Sequence, residues 1–147
     1  MAEKKIAWIT GGGTGMGLAA AIELVKDGWT VVVSGRRADV LDKAVKEIGR
    51  NASALVLDVA SKADVERAAK QIIDRHGRID LLVNSAGLNV PNRSWTEMTT
   101  EGWDKVVSVN LDGLLYCMHA VLPAMRAQKS GTIINVSSWA GRLPSKV

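Results

Sequence analysis

Short apolar runs and helical patterns alternate along this chain of 147 residues. Ile6-Ala7-Trp8-Ile9 opens the series and meets the glycine-rich stretch Thr10 to Gly17. Ala19 to Val25 reads as a helix closed by Asp27-Gly28, and Thr30 to Val33 as a second strand. Val40, Leu41, Ala44, Val45 and Ile48 recur at helical spacing before Gly49, a C-terminal stop. Ala54 to Leu57 reads as a third strand ending at Asp58. Ser61 starts a helix that ends near Gly77, with Asp64 close to the capping-box position. Leu81 to Val83 is a fourth strand, followed by Asn84-Ser85-Ala86-Gly87 and a surface loop from Leu88 to Met98. Thr99 or Thr100 caps a long helical pattern that carries Trp103, Val106, Val107, Leu111, Leu114, Leu115, Met118, Val121 and Leu122. Pro123 lies inside that pattern and is expected to kink or disturb it. Thr132 to Val136 is the fifth strand, running into Ser137-Ser138.

Strands without polar alternation are buried on both faces. Five of them alternating with helices predict an α/β fold: a Rossmann-type, doubly wound parallel sheet with helices on both sides. One domain spans residues 1–147, without repeat or linker. Such sheets bind ligands beyond the carboxyl ends of their strands, which directs attention to the residues after Ile9, Val33, Leu57, Val83 and Val136.

Composition narrows the class. The chain is 47% apolar and 23% charged, ordinary for a soluble protein. No uninterrupted apolar stretch approaches the roughly 18 residues of a membrane span. The net charge of +4 is spread thinly, since Lys and Arg never run longer than the pairs Lys4-Lys5 and Arg36-Arg37. No aromatic residues interleave with a basic stripe, so nucleic acid is not an expected partner. Cys117 is the only cysteine and forms no internal disulfide, in keeping with a reducing, cytoplasmic setting. No group of His, Cys and acid stands at metal-ligand spacing. His76 and His119 read as surface or packing residues, and the five Trp as core or groove residues.

The candidate chemistry begins at Thr10-Gly11-Gly12-Gly13-Thr14-Gly15-Met16-Gly17. Glycines between a strand and a helix let the backbone approach a pyrophosphate, and the helix N-terminus supplies free N–H groups. An acid about 20 residues further on would bind a ribose 2′-hydroxyl and select NAD. The second strand ends instead in Ser34-Gly35-Arg36-Arg37. Guanidinium groups suit a 2′-phosphate, so NADP(H) is expected in preference to NAD(H).

The glycine spacing Thr-Gly-x-x-x-Gly-x-Gly, "NSAG", "VVSVNLDG" and "INVSS" occur in order. On these motifs the sequence resembles the short-chain dehydrogenase/reductase family over its whole length. The resemblance implies hydride transfer between NAD(P)(H) and an alcohol or carbonyl, by a homo-oligomer, dimer or tetramer. It implies cofactor contacts from Thr10, Gly11, Gly13, Thr14, Gly15, Met16 and Gly17. It implies adenine contacts from Asp58 and Val59, and cofactor-lining roles for Asn84, Ala86 and Gly87; Ser85 departs from the family's second Asn. It implies catalytic roles for Asn110, holding a water in a proton relay, and Ser138, polarising the substrate carbonyl. The family's Tyr-x-x-x-Lys pair would fall beyond Val147; Tyr116 matches no motif and Lys146 has the wrong spacing. The 147-residue chain by itself is therefore expected to be inactive, with a truncated, non-catalytic nucleotide-binding or interaction module as the alternative reading.

Overall fold

A computed structural model describes residues 4–91 and 94–138. Trp139 and Lys146 lie outside the described residues. Strands β1 (Ile6–Thr10), β2 (Thr30–Gly35), β3 (Ala52–Val56), β4 (Leu81–Asn84) and β5 (Thr132–Asn135) form one sheet in the order β3-β2-β1-β4-β5. Each pairing between neighbours is parallel. Helices α1 (Gly15–Lys26), α2 (Ala38–Ile48), α3 (Lys62–His76), α4 (Thr100–Val107) and α5 (Gly113–Gln128) connect the strands. A π-helical turn, Ser108–Asp112, joins α4 to α5.

The period of two along each strand divides the apolar residues between two cores. Ile6, Trp8, Val32 and Leu82 pack with Val65 and Ile72 of α3 and Cys117 and Val121 of α5. Ala7, Ile9, Val31, Val33, Leu81 and Val83 pack with Ala21 of α1 and Leu41, Ala44 and Ile48 of α2. β1 is therefore buried at every position. The Trp8 indole N–H donates to Ser34 Oγ at 3.0 Å, which satisfies both polar groups inside the sheet. Burial pushes the Cys117 thiol up to about 12, so it stays protonated.

Helix ends follow the caps. Ser61 Oγ accepts from the Asp64 N–H at 3.3 Å, and Gly77 closes α3 with φ of +77°. The Asp64 carboxylate reaches back to the Asp58 N–H at 3.4 Å rather than to Ser61. Thr99, not Thr100, caps α4, its Oγ1 accepting from the Gly102 N–H at 3.0 Å.

Several expectations change. The third strand is Ala52–Val56, two residues earlier at its start than the apolar run Ala54 to Leu57 suggested, and Leu57 is buried beyond its end. Register explains the shift: β2 pairs Val31 with Ala52 and Gly35 with Val56, and an edge strand does not need apolar side chains on both faces. β3 and β5 are not buried strands; Val56, Ile134 and Val136 are exposed. α5 runs through Pro123 to Gln128, and the helical irregularity lies upstream at Ser108–Asp112. Pro123 and His119 both face solvent, where water can satisfy the carbonyl that proline leaves unbonded. Of the tryptophans, Trp95 and Trp103 are neither core nor buried; they are exposed, with ring centroids 6.1 Å apart.

The helical stretch Thr100–Gln128 also meets the length and composition of a membrane span, with a mean hydropathy of 1.3 over its most apolar window. That averaged measure passes where no uninterrupted apolar run does. Cys117, Val121 and Met125 commit one face of it to the core. Trp103, Leu111 and Leu115 stay exposed on the rest.

Candidate nucleotide-binding site

Parallel strands end together, so the loops after β1, β2, β3 and β4 share one edge of the sheet. There they enclose a cleft of about 260 Å³. The first loop turns at Gly11, whose φ of +66° suits glycine. A Cβ on Gly11 would lie 2.8 Å from the Ala86 backbone and from Ser85 O. The β1 loop and the turn after β4 therefore touch, and Thr10 Oγ1 ties them by accepting the Ala86 N–H at 3.2 Å. Gly17 packs under the same loop, where a Cβ would lie 2.5 Å from Gly11 O.

The α1 N-terminus faces this loop without a side-chain cap, and its first turn contains no acid. Its leading N–H groups and positive dipole end remain available to an anion. Arg36 and Arg37 line the opposite wall. Both are exposed, and neither has an ion-pair partner among the described residues. Asp58 and Val59 form a further wall. The Asp58 carboxylate accepts the Ala60 N–H at 3.0 Å, an Asx turn that fixes the loop after β3.

Asn110 lies in the π-helical turn and grips the far wall. Its Oδ1 accepts the Leu88 N–H and its Nδ2 donates to Leu88 O, both at 2.8 Å. This pair of bonds fixes the strip Gly87-Leu88 along the cleft.

Gly11, Gly13, Thr14, Met16, Arg36, Arg37, Asp58, Val59, Ala86 and Gly87, all named from the sequence, are brought together in one cleft. Thr10 and Gly17 are buried behind it, and Gly15 opens α1 beside it. Asn84 is buried, and its Nδ2 donates to Asn135 Oδ1 at 2.9 Å, linking β4 to β5 instead of facing the cleft. Ser138 is exposed just past β5 on the same sheet edge and is not part of the cleft wall. Tyr116 packs against the α3–α5 core.

Ser34, Gly35 and Ser85, which flank or interrupt the quoted motifs, also line the cleft, as do Val40, Leu41, Leu88 and Val109, which belong to none of the anticipated contacts. The position of Ser34-Gly35 at the carboxyl end of a strand was a usable signal. Leu88 and Val109 carried none, because the Asn110 contact that sets them spans 22 positions of sequence. No group of His, Cys, Asp and Glu arranged for a metal occurs among the described residues.

This geometry has clear relatives. The family model of the short chain dehydrogenases matches residues 5–147, and the chain belongs to that family. It is 35% identical over 144 residues to an uncharacterized oxidoreductase of Staphylococcus epidermidis, covering 98% of this chain and 62% of that protein. The serine dehydrogenase structure from Escherichia coli superimposes with a TM-score of 0.88 at 33% identity, covering 95% of this chain and 65% of that one. A variant of actinorhodin polyketide ketoreductase with NADPH gives a TM-score of 0.92 at 32% identity, covering 97% of this chain and 56% of that one. The chain spans less than two thirds of the length of these relatives.

Proposed function

We propose that residues 1–147 form the cofactor-binding domain of an NADP(H)-dependent oxidoreductase acting on a small alcohol or carbonyl. The observation that carries the cofactor preference is the pair Arg36 and Arg37, lining the cleft at the end of β2 without carboxylate partners among the described residues. The site fits such a cofactor on its own features: an uncapped helix start, a glycine loop with no room for a side chain at Gly11 or Gly17, and cationic groups across the cleft. The α1 N–H groups would hold the pyrophosphate, Arg36 and Arg37 the 2′-phosphate, and Asp58 and Val59 the adenine. The NADPH in the ketoreductase structure supports the same reading.

The nicotinamide, when bound, accepts or delivers the hydride. This chain's own residues bind and orient. Asn110 holds Leu88 and so shapes the wall along which the nicotinamide would lie. Ser138 lies on that edge of the sheet, and its hydroxyl would donate a hydrogen bond to the substrate carbonyl. A phenol that protonates the resulting alkoxide belongs to the family's Tyr-x-x-x-Lys; Tyr116, packed against the core, does not take that part. The 147 residues alone are accordingly expected to bind cofactor without turnover. A cytoplasmic setting accompanies this reading, in keeping with a lone, buried Cys117.

Fluorescence titration tests the cofactor reading. NADPH is expected to bind at least tenfold more tightly than NADH, about 1.4 kcal/mol. Arg36→Ala with Arg37→Ala should bring the ratio near one while leaving NADH affinity unchanged. Equal or tighter binding of NADH to the unaltered protein would overturn the NADP preference. Absence of binding by either would remove the nucleotide reading altogether.

The reading includes a homo-oligomer. Trp103, Leu111 and Leu115 supply an exposed apolar stripe. An antiparallel two-fold pairing centred on Leu111 and Leu115 would set the acidic first turn at Glu101 against the basic last turn at Arg126 of the other copy. Light scattering is expected to show Leu111→Asp as a monomer and the unaltered protein as a dimer or larger. An unchanged mass for Leu111→Asp would place any interface elsewhere.

A further inference from the structure

A second cleft, of about 430 Å³, opens at the opposite edge of the sheet, by the amino ends of β1, β2 and β3. Its charged lining comes from separate segments: Lys4 before β1, Arg50 after α2, Arg75 and His76 in the last turn of α3, and Arg78 before β4. Among the described residues no carboxylate lines it. Asn51 and Ser53 add neutral polar groups, and Lys4 Nζ lies 3.5 Å from Asn51 Oδ1. Arg78 is paired with Asp80 at 2.7 Å, and Arg50 and Arg75 have no ion-pair partner among the described residues.

Cations at helix C-termini commonly offset the helix dipole, so that role has to be subtracted first. The C-terminal ends of α2 and α3 contribute about half a negative charge each. Lys4, Arg50 and Arg75 supply three positive charges after Arg78 is set against Asp80. A surplus of about two positive charges remains. His76 adds a second, independent feature: its Nε2 is buried and has no hydrogen-bond partner among the described residues. Burial lowers the pKa of His76, and the charge of Arg75 lowers it further. Beside this surplus positive charge the His76 ring keeps an unfilled hydrogen-bonding position, which an anionic oxygen would fill once Nε2 carries a proton.

We propose that this cleft is a second binding site, distinct from the nucleotide cleft, for a small ligand carrying a phosphoryl group. Arg50 and Arg75 would hold the phosphoryl oxygens by charge-assisted bonds, His76 would donate once protonated, and Asn51 and Ser53 would meet the remainder of the ligand. The volume suits a phosphorylated small molecule and not only the bare ion. The charged groups that share the cleft with His76 are Arg75 on its own helix, Arg50 from the β3 side, Lys4 from the β1 side, and Arg78, paired with Asp80 outside the lining, from the β4 side.

The chain contains two histidines, His76 and His119, so their imidazole C2–H resonances form a paired probe and control. The full chain is titrated with inorganic phosphate and with ribose 5-phosphate, at ionic strength held constant with sodium chloride. Saturable binding that raises the His76 pKa by about half a unit or more, with His119 unmoved, is expected. Arg50→Gln with Arg75→Gln, both exposed and outside the nucleotide cleft, should weaken it at least tenfold. Tighter binding of ribose 5-phosphate would mark an organic phosphate as the ligand, and equal binding would mark the free ion. Equal movement of both histidines, the same response to chloride alone, or unchanged binding by the double variant would overturn the site. Movement confined to the amides of Gly11 to Gly17 would overturn it too, while leaving the nucleotide reading intact.

Discussion

Asp80→Ala is expected to reduce the free energy of unfolding by about 3–5 kcal/mol, the largest stability loss anticipated for a single side chain here. Asp80 is 8% exposed and is gripped by Arg78, whose Nε and Nη2 donate to its carboxylate at 2.7–3.1 Å. Its Oδ2 also accepts the Ile6 N–H at 2.9 Å. The carboxylate therefore joins the start of β4 to the start of the central strand β1. Its removal takes the bidentate acceptor from a partly buried guanidinium and the side-chain acceptor from the Ile6 N–H. Asp80→Asn retains an acceptor for Ile6 and should lose about half as much. Denaturant unfolding checks both; a loss below about 1 kcal/mol for the alanine variant would show that the pair is not a structural tie.

The same carboxylate carries a pH dependence. Burial alone would raise its pKa, but the Arg78 hydrogen bonds, the Ile6 N–H and the charges of Arg78 and Lys5 together hold it below the usual value of 3.8. A carboxylate depressed in the folded state stabilises the fold above its unfolded pKa. That contribution is lost as pH falls below about 4 and through the folded value. Asp80→Asn should therefore be less stable than the unaltered protein at neutral pH, with the gap narrowing below about pH 4.

Gly17→Val is expected to give the largest loss of ligand binding. A Cβ at Gly17 would lie 2.5 Å from Gly11 O, 2.9 Å from Gly11 C and 3.1 Å from Gly12 Cα. These are backbone atoms and cannot swing aside as a side-chain tip would. Either the loop lifts from α1 or the helix start moves, and both separate the N–H groups from the glycine turn. NADPH affinity should fall at least 100-fold, equivalent to about 2.7 kcal/mol. Overpacking should also cost about 1–3 kcal/mol of stability. Circular dichroism would confirm that the variant still folds. Binding within about threefold of the unaltered protein would show that the loop is not the phosphate cradle.

Features governed by neighbouring residues were legible in the sequence. β1 begins at Ile6 as the apolar run does, Ser61 caps α3 and Gly77 ends it, because capping and turning use groups a few positions apart. The glycine loop after a strand and before a helix, followed by Ser34-Gly35-Arg36-Arg37, marked two walls of the cleft. The order of the motifs marked the family.

Features that need partners distant in sequence were decided only by the tertiary structure. β3 starts at Ala52 because β2 supplies its register, not because its own residues are the most apolar. The motifs gave Asn84 a cofactor-lining role and Asn110 a catalytic one, but not their partners; folding turned the first toward Asn135 and closed the second around the Leu88 peptide. Asp80 belongs to no motif, yet it ties two strands through Arg78 and Ile6. Lys4, Arg50 and Arg75 looked like scattered surface charges until parallel strands brought their ends to one edge. Periodicity and capping are short-range properties carried by the chain itself, whereas register, close backbone approach and the pooling of charge exist only once the sheet has closed.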